Sequence, residues 1–300
     1  MTRVVFVLAP KLHLLDLAGP AQVFATGRDF GLGYELTYLA ETPEVPTAQG
    51  VPVVASTEWP ELSRDDLVVV PGWRSPKLSA EAPFGEAFAN RLRAHHAAGG
   101  SVASVCSGAD ALGRCGLLDG RRYTTHHDLT DELAARYPKA TIVRDVLYVE
   151  DDRVITSAGI ASGIDLALHL VAVSHGAEAA AKVAREMVVY ARRNGDEQQA
   201  SAMLRHRGHL CDLAHRVQDV IDRRYADRLL LSDLATIAGV SERTLTRIFT
   251  AATGLTPLRY QQLLRLERAE HLIGHGDTVE AAARAVGFED ARMLRRLRAR

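Results

Sequence analysis

Cysteine is scarce in this chain of 300 residues, which contains only Cys106, Cys115 and Cys211. An odd number with no paired spacing argues against a disulfide scaffold and is typical of a reducing compartment such as the cytoplasm. No apolar run approaches the length of a membrane-spanning helix, so no membrane partner is predicted. The apolar start at residues 3–8 is interrupted by Pro10 too early for a signal peptide, and it predicts a buried first strand.

Net charge is also nearly absent, because 36 Lys and Arg residues oppose 37 Asp and Glu residues. The balance hides an asymmetry: residues 1–200 hold 19 basic and 25 acidic residues, whereas residues 201–300 hold 17 and 12. An acidic first part and a basic last part favour a sensor joined to a DNA-binding module. A polar stretch predicts a linker at 193–208, between domains at 1–192 and 209–300.

The basic last part contains a helix-turn-helix pattern twice. In the first copy, Leu231 to Phe249, Gly239 suits the turn and Ser241 can cap the following helix. The second copy begins at Val279 and repeats the order of small, glycine and arginine residues, with one extra residue in its turn. Two such units side by side can address neighbouring stretches of major groove. The pattern therefore predicts sequence-specific binding to double-stranded promoter DNA.

The second helix of the first copy has one apolar face, which includes Leu245 and Phe249. Its other side carries Arg243, Thr246 and Arg247, and arginines there can reach guanine edges or phosphates. A solvated face of a small helical domain would show the same charges. The duplication of the motif favours the DNA-binding interpretation.

The motifs of this region are Leu234-Ala235, Val240-Ser241, Gly254-Leu255-Thr256-Pro257, Arg265-Leu266 and Gly287-Phe288. Together they resemble the AraC/XylS family of bacterial transcription regulators over about residues 210–300. The resemblance implies DNA-facing positions at Arg243, Thr246, Arg247, Ala291, Arg292, Arg295 and Arg296. Arg298 stands where that family usually has an aromatic core residue, and the chain stops at Arg300. The closing Gly-x-Ser/Thr-Pro stretch of that family is thus absent, and the expectation is either a shortened second unit or a sequence that is cut before that stretch.

Residues 1–190 alternate short β-rich apolar runs with longer helical patterns, which predicts a parallel sheet covered by helices on both faces. The predicted strands are Arg3–Leu8, Glu35–Ala40, Leu67–Val70, Ser101–Val105, Thr141–Val143, Leu147–Glu150 and Arg153–Thr156. The predicted helices are Ala18–Asp29, Phe84–Ala98, Ala109–Cys115, Leu129–Tyr137, Ile164–His175 and Ala177–Arg192.

Cys106 stands at a predicted strand-to-helix turn with small residues two positions before and after it, the form of a nucleophile elbow. Amide dipoles of the helix start predict a lowered thiol pKa. An enzyme would also need a base and an oxyanion-stabilising site, and His126 and Asp16 are the candidate partners. The alternative is a buried cysteine in a ligand pocket at the strand ends, with Trp73 as a wall.

The motifs of the first domain are Leu15–Pro20, Val70-Pro71-Gly72, Ser104–Ala109, Gly116–Arg121, Thr125-His126 and Thr156–Gly159. They resemble the DJ-1/PfpI superfamily, a flavodoxin-like relative of the class I glutamine amidotransferases. Active proteases and amidases of that superfamily commonly have histidine after the cysteine, where this chain has Ser107. Isonitrile hydratases share the motif, so a cysteine enzyme with an appended DNA module remains the alternative. The expected ligand-binding residues are Asp16, Gly72, Trp73, Cys106, Ser107 and His126.

The order of the two domains resembles the GlxA-type regulators, in which the first domain is thought to sense small molecules. That resemblance implies a homodimer and a small effector, amino-acid-like or a quaternary amine. No cofactor is predicted. Four residues near the linker have ligand-type side chains without a complete tetrahedral spacing, so no metal site is predicted either; they are His206, His209, Cys211 and His215.

Overall fold

The computed structural model describes residues 1–74, 82–189, 193–197, 199, 205–274 and 276–298. The chain divides into two compact units, Met1–Gln199 and Ala200–Arg300. The end of the predicted helix Ala177–Arg192 and residues 198 and 200–204 of the predicted linker lie outside the described residues. None of the helices in the described ranges has both the length and the apolar character needed to cross a membrane.

The first unit alternates strands with helices. Its strands are β1 (Thr2–Val7), β2 (Tyr34–Leu39), β3 (Glu44–Val45), β4 (Val53–Val54), β5 (Leu67–Val70), β6 (Ser101–Val105), β7 (Arg122–Tyr123), β8 (Thr141–Ile142), β9 (Tyr148–Asp151) and β10 (Val154–Ser157). Its helices are α1 (Leu14–Asp29), α2 (Glu86–Ala97), α3 (Gly108–Arg114), α4 (Thr130–Arg136), α5 (Ser162–His175) and α6 (Ala177–Glu186).

Six of these strands form one sheet, in the order β2-β1-β5-β6-β10-β9. Neighbours pair in parallel except at the β9 edge, which runs antiparallel to β10. The prediction of an α/β domain with a mostly parallel sheet is confirmed. The two-residue strands β3, β4 and β7 escaped prediction because such short pairs carry no measurable periodicity.

The central strand β1 shows why both faces of the sheet must be covered. Val4 and Phe6 pack in one apolar core with α1, α5 and α6, whereas Val5 and Val7 pack in a second core with α2, α3 and α4. Successive side chains of a strand point to opposite faces, so a continuous apolar run requires helices on both sides.

The second unit is helical in its described residues. Its helices are α7 (Asp212–Arg223), α8 (Leu231–Ala238), α9 (Glu242–Thr253), α10 (Pro257–Gly274), α11 (Val279–Ala285) and α12 (Ala291–Arg298). Helices α8 and α9 form the first helix-turn-helix, with Gly239 at φ 70° and the Ser241 hydroxyl accepting from the Thr244 N–H at 3.2 Å. Helices α11 and α12 form the second, whose turn contains Gly287 at φ 83°. The predicted helical domain with two such units is confirmed.

The expectation that Arg298 occupies a core position is wrong. Its side chain is exposed, and its Nε lies 3.9 Å from Glu270 Oε1 on α10. Leu294 is buried and Leu297 packs beside it in the apolar core of the second motif. The apolar stripe of α12 thus follows the i, i+3 spacing of these leucines, which turns Arg298 outward.

Candidate functional site

Cys106 lies between the end of β6 and the start of α3, in a left-handed conformation with φ 56°. This conformation is unfavourable for any residue with a side chain and persists only when its surroundings hold it. The Cys106 N–H donates to the Ser157 carbonyl at 3.0 Å, and the Thr125 hydroxyl donates to the Cys106 carbonyl at 2.8 Å. The turn therefore has the elbow geometry that the sequence predicts.

Two glycines allow the chain to close around the cysteine. A Cβ added to Gly72, after β5, would lie 2.4 Å from Asp16 Oδ2 and 2.8 Å from Cys106 Cβ. A Cβ added to Gly159, after β10, would lie 2.2 Å from Cys106 Cβ, and its φ of 99° is itself unfavourable for other residues. The carboxyl ends of three adjacent strands thus meet at Cys106, where open α/β sheets bind ligands.

Asp16, in the first turn of α1, is fully buried in this place. Its Oδ1 accepts a hydrogen bond from the Ile160 N–H at 2.6 Å. Its Oδ2 is on the side of Gly72 and Cys106 and makes no hydrogen bond of normal geometry to a described residue. Burial raises the pKa of Asp16, because the charged form loses its water, and the Ile160 N–H opposes this only in part.

Cys106 is buried, with 7% of its surface exposed. Burial raises its pKa, and the neighbouring Asp16 carboxylate raises it further. The expectation of a lowered thiol pKa is therefore wrong for this structure. The loss of water and a nearby negative group outweigh the favourable N–H of Ser107 at the helix start.

Ser107 serves to hold the loop after β5. Its hydroxyl accepts from the Trp73 N–H at 2.8 Å and donates to the Trp73 carbonyl at 2.9 Å. The Trp73 ring is half-buried and lies 6.5 Å from the Phe84 ring, centroid to centroid. Asp16, Gly72, Cys106 and Ser107 are thus brought together, and Trp73 is tied to them through its backbone.

His126 is half-buried and has no hydrogen bond to the described residues of this group. Its Nδ1 accepts from the Asp128 N–H at 3.4 Å, and its ring lies 4.2 Å from that of His127. Burial lowers the pKa of His126, and His127 and His13 lower it further. No hydrogen bond among the described residues joins His126 to Cys106, so the three candidate catalytic groups do not form a hydrogen-bonded triad.

Sequence reasoning missed two neighbours of Asp16. His13, which precedes α1, lies close enough to affect the pKa of both Asp16 and His126. Ile160 supplies the N–H that binds Asp16 and is itself left-handed, with φ 52°. The motif ending at Gly159 pointed to this loop, but nothing in the residue type of Ile160 signals a backbone donor.

Metal-ligand side chains cluster at one place in the described part of the chain. The ligand atoms of His126, His127 and Asp128 lie within 4.8 Å of one another, the one such group among the described residues. The histidines near the predicted linker are instead hydrogen-bonded: His206 Nδ1 lies 3.0 Å from the Thr253 carbonyl oxygen and His215 Nε2 lies 2.8 Å from that of His209.

The proposed DNA-reading face lies on α9. Leu245 and Phe249 are buried, while Arg243 and Arg247 are exposed on the other side, with Thr246 half-buried between them. Neither arginine has an ion-pair partner among the residues that the structure describes. These three side chains line a shallow concave surface of the second unit.

The second motif presents its arginines differently. Arg295 forms an ion pair with Glu280 of α11, and Arg292 Nε lies 3.5 Å from Asp290 Oδ2. Arg296 is exposed, with no ion pair in the described part of the chain. The positive charge of α12 is therefore partly neutralised, whereas that of α9 is open to a ligand.

The chain is similar to known proteins over both units. Residues 2–173 match the DJ-1/PfpI family and residues 234–300 match a helix-turn-helix domain. The HTH-type transcriptional regulator CdhR of Pseudomonas aeruginosa is 30% identical over 252 residues, which cover 81% of this chain and 74% of CdhR. Isonitrile hydratase of Pseudomonas putida is 34% identical over 170 residues, 55% of this chain and 68% of that protein.

Solved structures agree on the fold. An AraC family transcriptional regulator from Pseudomonas putida superposes with a TM-score of 0.53 and 24% identity, covering 62% of this chain and all 100% of that one. A ThiJ/PfpI family protein from Pseudomonas syringae gives 0.55 and 22%, covering 79% of this chain and 88% of that one. The chain therefore belongs to the DJ-1/PfpI family, and it joins a domain of that family to a helix-turn-helix domain of the AraC type.

Proposed function

We propose that this protein is a cytoplasmic transcription regulator whose binding to promoter DNA responds to a small metabolite held beside Cys106. The observation that carries the proposal is the exposed surface of Arg243, Thr246 and Arg247 on the second helix of a helix-turn-helix unit. Exposed guanidinium groups without a carboxylate partner are suited to guanine edges and phosphates. The relatives named as transcriptional regulators support it.

The two motifs are proposed to contribute unequally. DNA phosphates must displace Glu280 to reach Arg295, whereas no ion pair among the described residues engages Arg243 or Arg247. The first motif is therefore the main reader, and the second is a supporting contact through Arg292, Arg295 and Arg296. A homodimer would place paired reading units on two half-sites.

The proposed effector site is the buried end of the sheet at Asp16, Gly72 and Cys106, with Trp73 and His126 at its margin. The buried Asp16 carboxyl, whose Oδ2 lies beside Gly72 and Cys106, favours a ligand that donates a hydrogen bond or carries positive charge. An amino-acid-like or quaternary-amine effector meets this requirement, and its entry requires movement of rim residues such as Ile160.

The chain that leaves the first unit is fastened beside this site. Gln199 Nε2 donates to the Thr125 carbonyl at 2.9 Å, and Thr125 also donates its hydroxyl to Cys106. Arg193 binds the Asp165 carboxylate through its backbone N–H at 3.0 Å and its guanidinium at 2.6 Å. A ligand that shifts Thr125 would therefore act on Gln199. This supports a route from the effector to the DNA-binding unit.

The test begins with selection of duplexes from a random-sequence DNA library by the full chain. Enrichment of a defined motif is expected, and Arg247→Ala should abolish it. Arg216→Ala is the matched control, because it removes the same charge from an exposed position on α7. Retention of duplexes without any common motif, or equal effects of the two substitutions, would contradict the proposed function.

A second candidate function is a cysteine enzyme with an appended DNA module. It is favoured by the close approach of the Asp16 carboxyl to Cys106 and by the similarity to isonitrile hydratase. Purified protein should then turn over isonitriles, amides or aldehydes, and Cys106→Ala should abolish turnover. Effector-dependent DNA binding by a wild-type protein that turns over none of these compounds would rule out the enzyme.

A further inference from the structure

The two helix-turn-helix motifs meet at a backbone contact. The loop 225–227 connects α7 to α8 and so leads into the first motif, and Gly287 lies in the turn of the second. A Cβ added to Gly287 would lie 1.9 Å from the Ala226 carbonyl oxygen, and its φ is 83°. Only glycine allows the turn of one motif to approach the loop of the other so closely.

Arg265, on the connecting helix α10, binds both sides of this contact. Its Nε donates to the Tyr225 carbonyl at 2.6 Å, and its Nη2 donates to the Asp227 carbonyl at 2.7 Å. Its Nη1 donates to the Gly287 carbonyl at 2.8 Å. One planar guanidinium therefore holds carbonyls of the loop that leads into the first motif and of the turn of the second in a fixed direction, which a flexible ammonium group could not do.

Neighbouring contacts support the same arrangement. The Arg265 Cζ lies 5.5 Å from the centre of the Phe288 ring in the second motif. Gln261, four residues earlier on α10, donates only to the first motif, at the Tyr225 and Asp227 carbonyls. The Tyr225 side chain packs against the apolar cores of both motifs. Arg265 thus contacts both sides of the junction between the loop 225–227 and the turn at Gly287.

We propose that Arg265 is a positioning residue that sets the spacing between the two DNA blocks read by α9 and α12. This inference rests on the proposed DNA-binding function. Two linked recognition helices bind DNA more tightly than one only when the distance and orientation between them match the spacing of their two binding sites. Arg265 reaches backbone carbonyls of both motifs, so it acts on DNA binding through the orientation of the recognition helices.

The experiment uses the full chain and the duplex enriched by the wild type, with derivatives in which one block is scrambled or the spacing is changed by one base pair. The wild type should prefer the original spacing. Arg265→Met should lose about tenfold in affinity for the intact duplex while its affinity for the single-block duplex stays within about twofold, and its spacing preference should disappear. Arg268→Met removes the same charge from the same helix and should keep the preference.

Two further variants keep the test decisive. Gly287→Ala alters the second motif's side of the junction and should weaken the spacing preference. Arg265→Lys should retain little of that preference. Equal loss on intact and single-block duplexes, or an unchanged spacing preference, would overturn the inference while leaving the proposed function intact. Loss of helical circular dichroism in both Arg265→Met and Gly287→Ala would also overturn it, because the contact would then serve the fold alone. Failure of the wild type to enrich any duplex would instead contradict the proposed function.

Discussion

Replacing Arg243 or Arg247 by Ala should reduce the salt dependence of DNA binding. Both guanidinium groups are exposed and unpaired among the described residues, so each is free to neutralise one phosphate and release its counterions. Each lost phosphate contact lowers the slope of log K against log salt by about 0.9. A rise from about 50 to about 200 mM salt should therefore weaken the wild type about 3.5-fold more than either variant.

The assay is fluorescence anisotropy with the selected duplex over a series of salt concentrations. Arg295→Ala is the comparison, because its guanidinium is already paired with Glu280 and should change the slope less. A guanine contact would give a different result: the slope would stay, and discrimination at one base pair would fall by about 1–3 kcal/mol. An unchanged slope together with unchanged discrimination for both α9 variants would refute the DNA-facing assignment.

Three other predictions concern the first unit, which contains both tryptophans, so their fluorescence reports its unfolding. Asp16→Asn should keep the acceptor for the Ile160 N–H and become more stable relative to the wild type as pH rises from about 4. The reason is that the raised folded-state pKa of Asp16 makes the wild type lose stability between the unfolded-state pKa and the folded-state pKa. Urea unfolding at several pH values tests this, and a pH-independent difference in the free energy of unfolding would contradict it. Gly159→Ala should cost about 2 kcal/mol or more beyond Gly116→Ala, since both glycines have positive φ but only the first lies against Cys106; equal melting temperatures would show that the close approach is relaxed at little cost. Gln199→Ala should reduce the effect of an identified effector on the Kd for DNA without lowering the melting temperature of the first unit much, and an undiminished effector response would exclude the Thr125 route.

Several secondary-structure elements could be predicted from the sequence because interactions between neighbouring residues determine them. Strands β5 and β6 were predicted at their observed bounds, since continuous apolar runs between polar turns have few other solutions in an α/β domain. The first helix-turn-helix was readable for a similar reason, as Gly239 and Ser241 each have a direct backbone role. The hairpin of β3 and β4 was not, because its two-residue strands depend on tertiary contacts.

The candidate site was only partly readable. Cys106 and Asp16 were identified from motifs, but their electrostatics were not, because burial depends on how closely three strand ends approach. The predicted direction of the Cys106 pKa shift came from the helix start alone, and desolvation reversed it. His126 shared a motif with Thr125, yet of these two described residues Thr125 is the one that is hydrogen-bonded to Cys106.

The sequence by itself determined the two-part organisation, the mostly parallel sheet and the doubled helix-turn-helix motif, because periodicity and glycine positions act over a few residues at a time and the charge balance of each part can be counted directly. The tertiary structure alone decided which charges are available and which are already paired. Arg243 and Arg247 look the same as Arg295 in the sequence, but Glu280 lies against only one of them. It also decided the role of Arg265, since carbonyls 38 to 40 residues earlier and 22 residues later meet at one guanidinium only after folding.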